Sequence, residues 1–145
     1  MIVEKCKQIN SVWVLGANSE VSTSICIELA KKGCKKFYLI ARNKIKINKF
    51  SNYLRQTYKV EVVEKFLELT DFPSSDDKNF YKVDDFDLYL ITAGYLGNNN
   101  LAQNDFEESK KIINSNFTGL IPWINAIASP ERIKEKRCIW VFTSV

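Results

Sequence analysis

One absence limits the chemistry available to this sequence. Its 145 residues contain no histidine, so no Ser-His-Asp triad can form from this chain, and proton transfer falls to Tyr, Lys, Asp or Glu. The four cysteines, Cys6, Cys26, Cys34 and Cys138, show no C-x-x-C spacing, and without histidine they offer no zinc set. A handful of positions remain. In "VLGANSEVS" a turn at Gly16 joins an apolar stretch to a helical pattern, which aims backbone N–H groups and the positive end of a helix dipole at a phosphate. Glu20 and Ser22 stand where a dinucleotide-binding turn would carry further glycines, so a purely structural turn is an equal reading. In "LIARN", Arg42 ends a second apolar stretch, where an acid would hold ribose hydroxyls and an arginine would accept an added phosphate. A solvated arginine is the plainer alternative. Gly94 in "DLYLITAG", Asn116 in "INSNFTGL" and Ser144 in "RCIWVFTSV" complete the set, and each taken singly has an ordinary structural explanation.

The elements needed to position these residues are legible in the hydrophobic pattern. Residues 11–15 ("SVWVL") form a short buried-type strand, followed by a helix with Val21, Ile25 and Leu29 at helical spacing, Asn18 or Ser19 as N-cap and Gly33 as the stop. "KKFYLIA" is a second strand, and the helix after it carries Ile47, Phe50 or Ser51, and Leu54 on one face. "VEVVEKFLEL" is a third strand region, and a polar connection around a short helix leads to a fourth strand that ends at Gly94. From Asp105 to about Ala128 the pattern is helical with one break, and Ile139 to Phe142 form the fifth strand, of the type buried on both faces. Apolar strands alternating with helices predict an α/β fold, a Rossmann-like doubly wound parallel sheet covered on both faces that binds its ligand at the carboxyl ends of the strands.

Composition sets the class. Hydrophobic content of 46% and charged content of 26% are ordinary for one globular domain, here 1–145. The net charge of +4 is scattered without interleaved aromatics, which argues against nucleic acid as a partner. No run reaches the roughly 18 apolar residues of a membrane span, and "MIVEKCKQIN" lacks a signal-peptide core, so the expected location is the cytoplasm.

Taken in order, the motifs resemble the short-chain dehydrogenase/reductases, from the first strand to the last residue. "LGANSEVS" is similar to that family's T-G-x-x-x-G-x-G turn, departing at the second and third glycines, and is closer to a glycine-poor bacterial subgroup with "GATSDIA". "ELTD" resembles D-V-x-D, "DLYLITAG" resembles D-x-L-V-N-N-A-G, "SNFTG" resembles V-N-x-x-G, and "VFTSV" resembles I-S-S-V. The resemblance implies a cofactor site at Gly16, Asn18, Ser19, Glu20, Val21, Arg42, Glu68, Leu69, Thr92, Ala93 and Gly94, with Asn116 and Ser144 as catalytic positions. It also implies NADP(H) rather than NAD(H), through Arg42, and a small-molecule carbonyl or alcohol as substrate. A G-x-L-G after the fourth strand is similar to bacterial reductases of keto-sugars and other cell-envelope precursors.

In that family a Tyr-x-x-x-Lys follows the serine by about a dozen residues. Here Ser144 is penultimate, and none of the six tyrosines has a lysine four residues on. The expectation is therefore a truncated oxidoreductase chain, inactive alone, whose parent is a homo-oligomer or whose missing half is supplied by a complementing C-terminal piece. The alternatives are a non-catalytic nucleotide-binding or assembly module and the remnant of a split gene. Truncation would leave Ile139 to Phe142 as an open, uncovered edge. "NFTGLIPWINAIA" is apolar nearly all round, as a helix buried on more than one side would be. Pro122 is expected to kink that helix and to disturb Asn116.

Overall fold

The computed structural model describes residues 8–73, 80–129 and 138–142. Ser144 lies outside the described residues. The expected short helix between the third and fourth strands falls partly on 74–79, also outside them.

The described residues form one five-stranded sheet of order β3-β2-β1-β4-β5, every neighbouring pair parallel. The strands are β1 (Ser11–Leu15), β2 (Lys36–Ala41), β3 (Glu61–Phe66), β4 (Leu88–Ile91) and β5 (Cys138–Val141). The helices are α1 (Glu20–Lys31), α2 (Lys44–Tyr58), α3 (Asn99–Ala102), α4 (Phe106–Ile113), which runs into a π-helical segment at Asn114–Thr118, and α5 (Ile121–Ile127). Strand order reverses between β1 and β4, and that reversal opens a crevice at the carboxyl ends of the strands.

Alternation along the strands divides the core in two. Val12, Val14, Phe37, Leu39, Leu88 and Leu90 face α1 and α2, where they meet Cys26, Ala30, Ile47 and Leu54. Trp13, Leu15, Ile40, Tyr89 and Ile91 face the opposite way, onto Leu120, Trp123 and Ile127 of the α5 region. A sheet buried on both sides needs such apolar strands, which is why all four residues of β4 are buried.

Three expectations are corrected. The face of α1 that meets the sheet is Ser22, Cys26 and Ala30, while Val21 is exposed and Ile25 and Leu29 flank the contact. Ser22 meets the Gly16 carbonyl while Cys26 and Ala30 join the core, so position on the helix outweighs the stronger apolar character of Val21. Pro122 sits in the first turn of α5, where its missing N–H would have had no intrahelical partner, so it starts a helix and kinks none. Lastly, among the described residues β5 pairs only with β4, and Ile139 to Phe142 are 41 to 47% exposed: the open edge that was expected is present, and the burial on both faces that the apolar run suggests is not met.

Local chemistry fixes the helix ends. Ser19 caps α1 by accepting the Ser22 N–H, and Gly33 follows its end at φ +97°. Asn43 caps α2 by accepting the Lys46 N–H at 3.0 Å. At the far end of α2, Arg55 bonds the Val62 carbonyl at 2.7 Å and pairs with Glu64 at 3.0 Å, tying that helix to β3. At the amino ends of β1 and β4, Asp87 accepts the backbone N–H groups of Asn10 and Ser11 at 2.9 and 3.0 Å.

Candidate cofactor cleft

A cleft of about 300 Å3 opens over the carboxyl ends of β1, β2 and β4. Gly16 forms its floor. The backbone there has φ +98°, and a Cβ would stand 2.4 Å from the Ala93 nitrogen, so the turn after β1 and the turn after β4 touch through backbone alone. Only glycine permits both the conformation and the approach.

Hydroxyl groups hold this turn in the places where further glycines were expected. Ser22 is fully buried and donates to the Gly16 carbonyl at 2.9 Å. Thr92 donates to the same carbonyl at 3.0 Å, and Ser19 donates to Thr92 at 3.0 Å. The mouth of α1 is thus bound to the end of β4 by side chains. Glu20 and Val21 open α1, and their N–H groups are among the first-turn donors without an intrahelical acceptor. A phosphate is the natural partner of such donors.

The other wall comes from the ends of β2 and β3. Arg42 follows β2 directly and is half-exposed; its guanidinium lies 3.8 Å from the Glu68 carboxylate and 5.7 Å from the centre of the Tyr95 ring. Glu68 also accepts the N–H of its neighbour Leu69 at 3.0 Å. Lys46, one turn into α2, lines the same wall. Asn18 donates to the Asn43 carbonyl at 3.1 Å and so links the two helix mouths, while its own Oδ1 is buried with no partner among the described residues.

The third wall is the loop after β4. Asn116, in the π-helical segment, accepts the Tyr95 N–H at 3.0 Å and donates to the Tyr95 carbonyl at 2.7 Å and to the Ile112 carbonyl at 2.8 Å. Two of these three bonds hold that loop and the third ties the amide to its own helix. Three residues later, just past the π-helical segment, the chain reaches Gly119, where a Cβ would stand 2.6 Å from the Leu69 carbonyl. The spacing N-x-x-G therefore has a mechanical sense: one residue grips the loop after β4, and the other lets the segment settle on the loop after β3. Tyr95 donates to Glu108 at 3.0 Å, and that carboxylate raises the phenol above its usual range.

Of the positions expected from sequence, Gly16, Asn18, Ser19, Arg42, Glu68, Leu69, Thr92, Ala93 and Gly94 line the cleft together. Glu20 and Val21 sit at its mouth with exposed side chains, so their contribution is their backbone. Asn116 stands behind the wall, its neighbour Ser115 lining the cleft instead. Lys46, Asn43, Tyr95 and Ser115 were not singled out by motif. For Lys46 the signal was present in its position four residues after Arg42, one turn of the helix that strand two feeds.

Similarity to solved structures is clear in three dimensions. A short-chain dehydrogenase of Sphingobium yanoikuyae in complex with NADPH matches with a TM-score of 0.69 at 23% identity, over 83% of this chain and 47% of that one. The bulky-bulky ketone specific alcohol dehydrogenase of Comamonas testosteroni matches with a TM-score of 0.69 at 17% identity, over 84% and 49%. The short-chain dehydrogenase of Shigella flexneri gives 0.69 at 16% identity, over 82% and 49%. The fold is that of the short-chain dehydrogenases. The chain spans about half the length of these three. No family model and no curated protein matches it by sequence.

The cleft carries groups that could hold a phosphorylated ligand: first-turn donors at the α1 mouth, the cations Arg42 and Lys46, and the buried Asn18 oxygen that lacks a donor among the described residues. Among the described residues no helix is long and apolar enough to cross a membrane.

Proposed function

We propose that this chain is the cofactor-binding part of an NAD(P)(H)-dependent oxidoreductase of the short-chain dehydrogenase type, acting on a small-molecule carbonyl or alcohol in the cytoplasm. The observation that carries the proposal is the convergence of the Gly16 turn, the α1 mouth and Arg42 on one cleft at the reversal point of the sheet. The dinucleotide supplies the hydride. The residues of this chain bind and orient: the amides of the α1 mouth hold the pyrophosphate, Leu69 and Ala93 flank the adenosine, and Arg42 with Lys46 favours NADP(H) over NAD(H) through the 2′-phosphate.

In this proposal Asn116 acts as a positioning residue, because its amide is spent on the Tyr95 backbone, and Ser144 steadies the developing oxyanion. No tyrosine here has a lysine at the spacing that would lower its pKa, and Tyr95 is shifted the other way by Glu108. In this reading none of these tyrosines supplies the proton, and the chain assayed alone binds nucleotide without turnover. A keto-sugar or related cell-envelope precursor is the proposed substrate class, on the G-x-L-G that follows β4. The exposed apolar side chains of Phe106, Ile113 and Phe117 support a homo-oligomeric parent.

The test is nicotinamide fluorescence of NADPH and NADH titrated with the purified chain, together with the Arg42→Asp variant. Saturable NADPH binding, weakened at least tenfold by Arg42→Asp and without carbonyl-dependent NADPH oxidation, is the expected result. Failure of a folded chain to bind either nucleotide would overturn the proposal, and hydride transfer by the chain alone would overturn its second part. A non-catalytic nucleotide-binding module would show the same binding but no gain of activity on mixing with a segment that bears Tyr-x-x-x-Lys.

A further inference from the structure

Resting on the reading of the cleft as a nicotinamide-dinucleotide site, we propose that Glu68 sets how far NADP(H) is preferred over NAD(H). It competes with the 2′-phosphate for Arg42, and it accepts the ribose 2′-hydroxyl when no phosphate is present. Dinucleotide-binding folds that use NAD place an acid at the end of the second strand. Here Arg42 holds that place, and the acid stands one strand over.

The register brings the two together. β2 and β3 are paired as far as Ala41 and Phe66, and the Leu67 N–H continues the ladder by donating to the Ala41 carbonyl at 3.1 Å. Arg42 and Glu68 therefore leave adjacent strand ends side by side, with their charged groups 3.8 Å apart. One carboxylate oxygen of Glu68 is engaged by the Leu69 N–H at 3.0 Å, which leaves the other oriented on Arg42.

Among the described residues lining the cleft, Glu68 is the only carboxylate, against Arg42 and Lys46 as cations. A phosphate drawn to Arg42 meets this fixed negative charge at close range, whereas a hydroxyl finds an acceptor. Glu68 thus weakens one cofactor and strengthens the other. Arg42 is half-exposed, so each effect is of modest size, about three- to fivefold.

The experiment titrates the full 145-residue chain with NADPH and NADH, comparing wild type, Glu68→Gln, Arg42→Gln and the double variant, each checked for an unchanged circular dichroism spectrum. Glu68→Gln should bind NADPH about three- to fivefold more tightly and NADH more weakly by a similar factor. The gain toward NADPH should vanish in the Arg42→Gln background. If wild type binds both nucleotides and Glu68→Gln moves the two affinities together or not at all, this inference falls while the proposed function stands. If wild type is folded and binds neither, the proposed function falls and takes this inference with it.

Discussion

Gly16 and Ser22 divide between them a task that glycine-rich turns give to three glycines. Gly16→Ala would force a side chain into left-handed backbone, costing about 1–2 kcal/mol, and would drive its Cβ onto Ala93. The expected outcome is a fall in thermal midpoint together with loss of NADPH binding, read by calorimetry and fluorescence titration. Ser22→Ala removes a buried donor from the Gly16 carbonyl that Thr92 still serves, so the loss should be about 1 kcal/mol in a denaturant titration. Two thiols on the core side are held unreactive. Burial, reinforced by neighbouring Cys34, pushes Cys26 up to about 12, and burial pushes Cys34 up to about 11. At pH 8 a thiol reagent should label exposed Cys138 at once and these two only after unfolding. Because both folded values lie above the ordinary thiol value of 9.0, the unfolded chain gives up protons first. Their contribution to stability is complete below about pH 9 and lost as pH rises toward 12. At this scale Gly16 and Arg42 were readable because a turn glycine and a strand-end arginine keep fixed places in the pattern. Tyr95 and Ser115 were not, since a loop and a π-helical segment bring them in, and neither has a period.

The π-helical segment at Asn114–Thr118 is the element on which the cleft depends most. Through Asn116 it holds the loop after β4, and through Gly119 it rests on the loop after β3. Asn116→Ala removes three hydrogen bonds from a site open to solvent, so stability should fall by only about 1 kcal/mol while NADPH affinity drops several-fold. Equal loss of both, in denaturant and binding titrations, would argue against a positioning role. The sequence showed a helix with one break between Asp105 and Ala128, and the structure has it. It could not show that the break is a π-helical stretch, because ladder register leaves no trace in residue type. The small-residue face of α1 was hidden for a related reason: hydrophobic periodicity gives weight to Val21 and Leu29, whereas helix-on-sheet packing selected Ser22, Cys26 and Ala30.

Over the whole molecule, the sheet is, among the described residues, covered on both faces at β1 and β4, only partly at β3, where Val63 and Phe66 are exposed, and bare at β5. Trp140 is 41% exposed and Phe142 47%, on a strand that pairs on one side only among the described residues. Such an edge recruits other chains. Sedimentation velocity should show concentration-dependent association of the 145-residue chain, reduced by Trp140→Lys, and a monodisperse monomer at all concentrations would contradict this. The five parallel strands were foreseeable from five apolar runs separated by helical patterns; the cleft could be placed only because strand order reverses where two such patterns meet. The π-helical segment carries one implication more. A π-helical turn closes on i→i+5 bonds, one residue longer than an α-helical turn, so excising Phe117 would restore the α-helical ladder and keep Leu120, Trp123 and Ile127 on the sheet, while Asn116 and Gly119, now one residue nearer, would no longer reach their two loops together. Foldedness and ligand affinity could then be lost separately, by shortening the chain at one point.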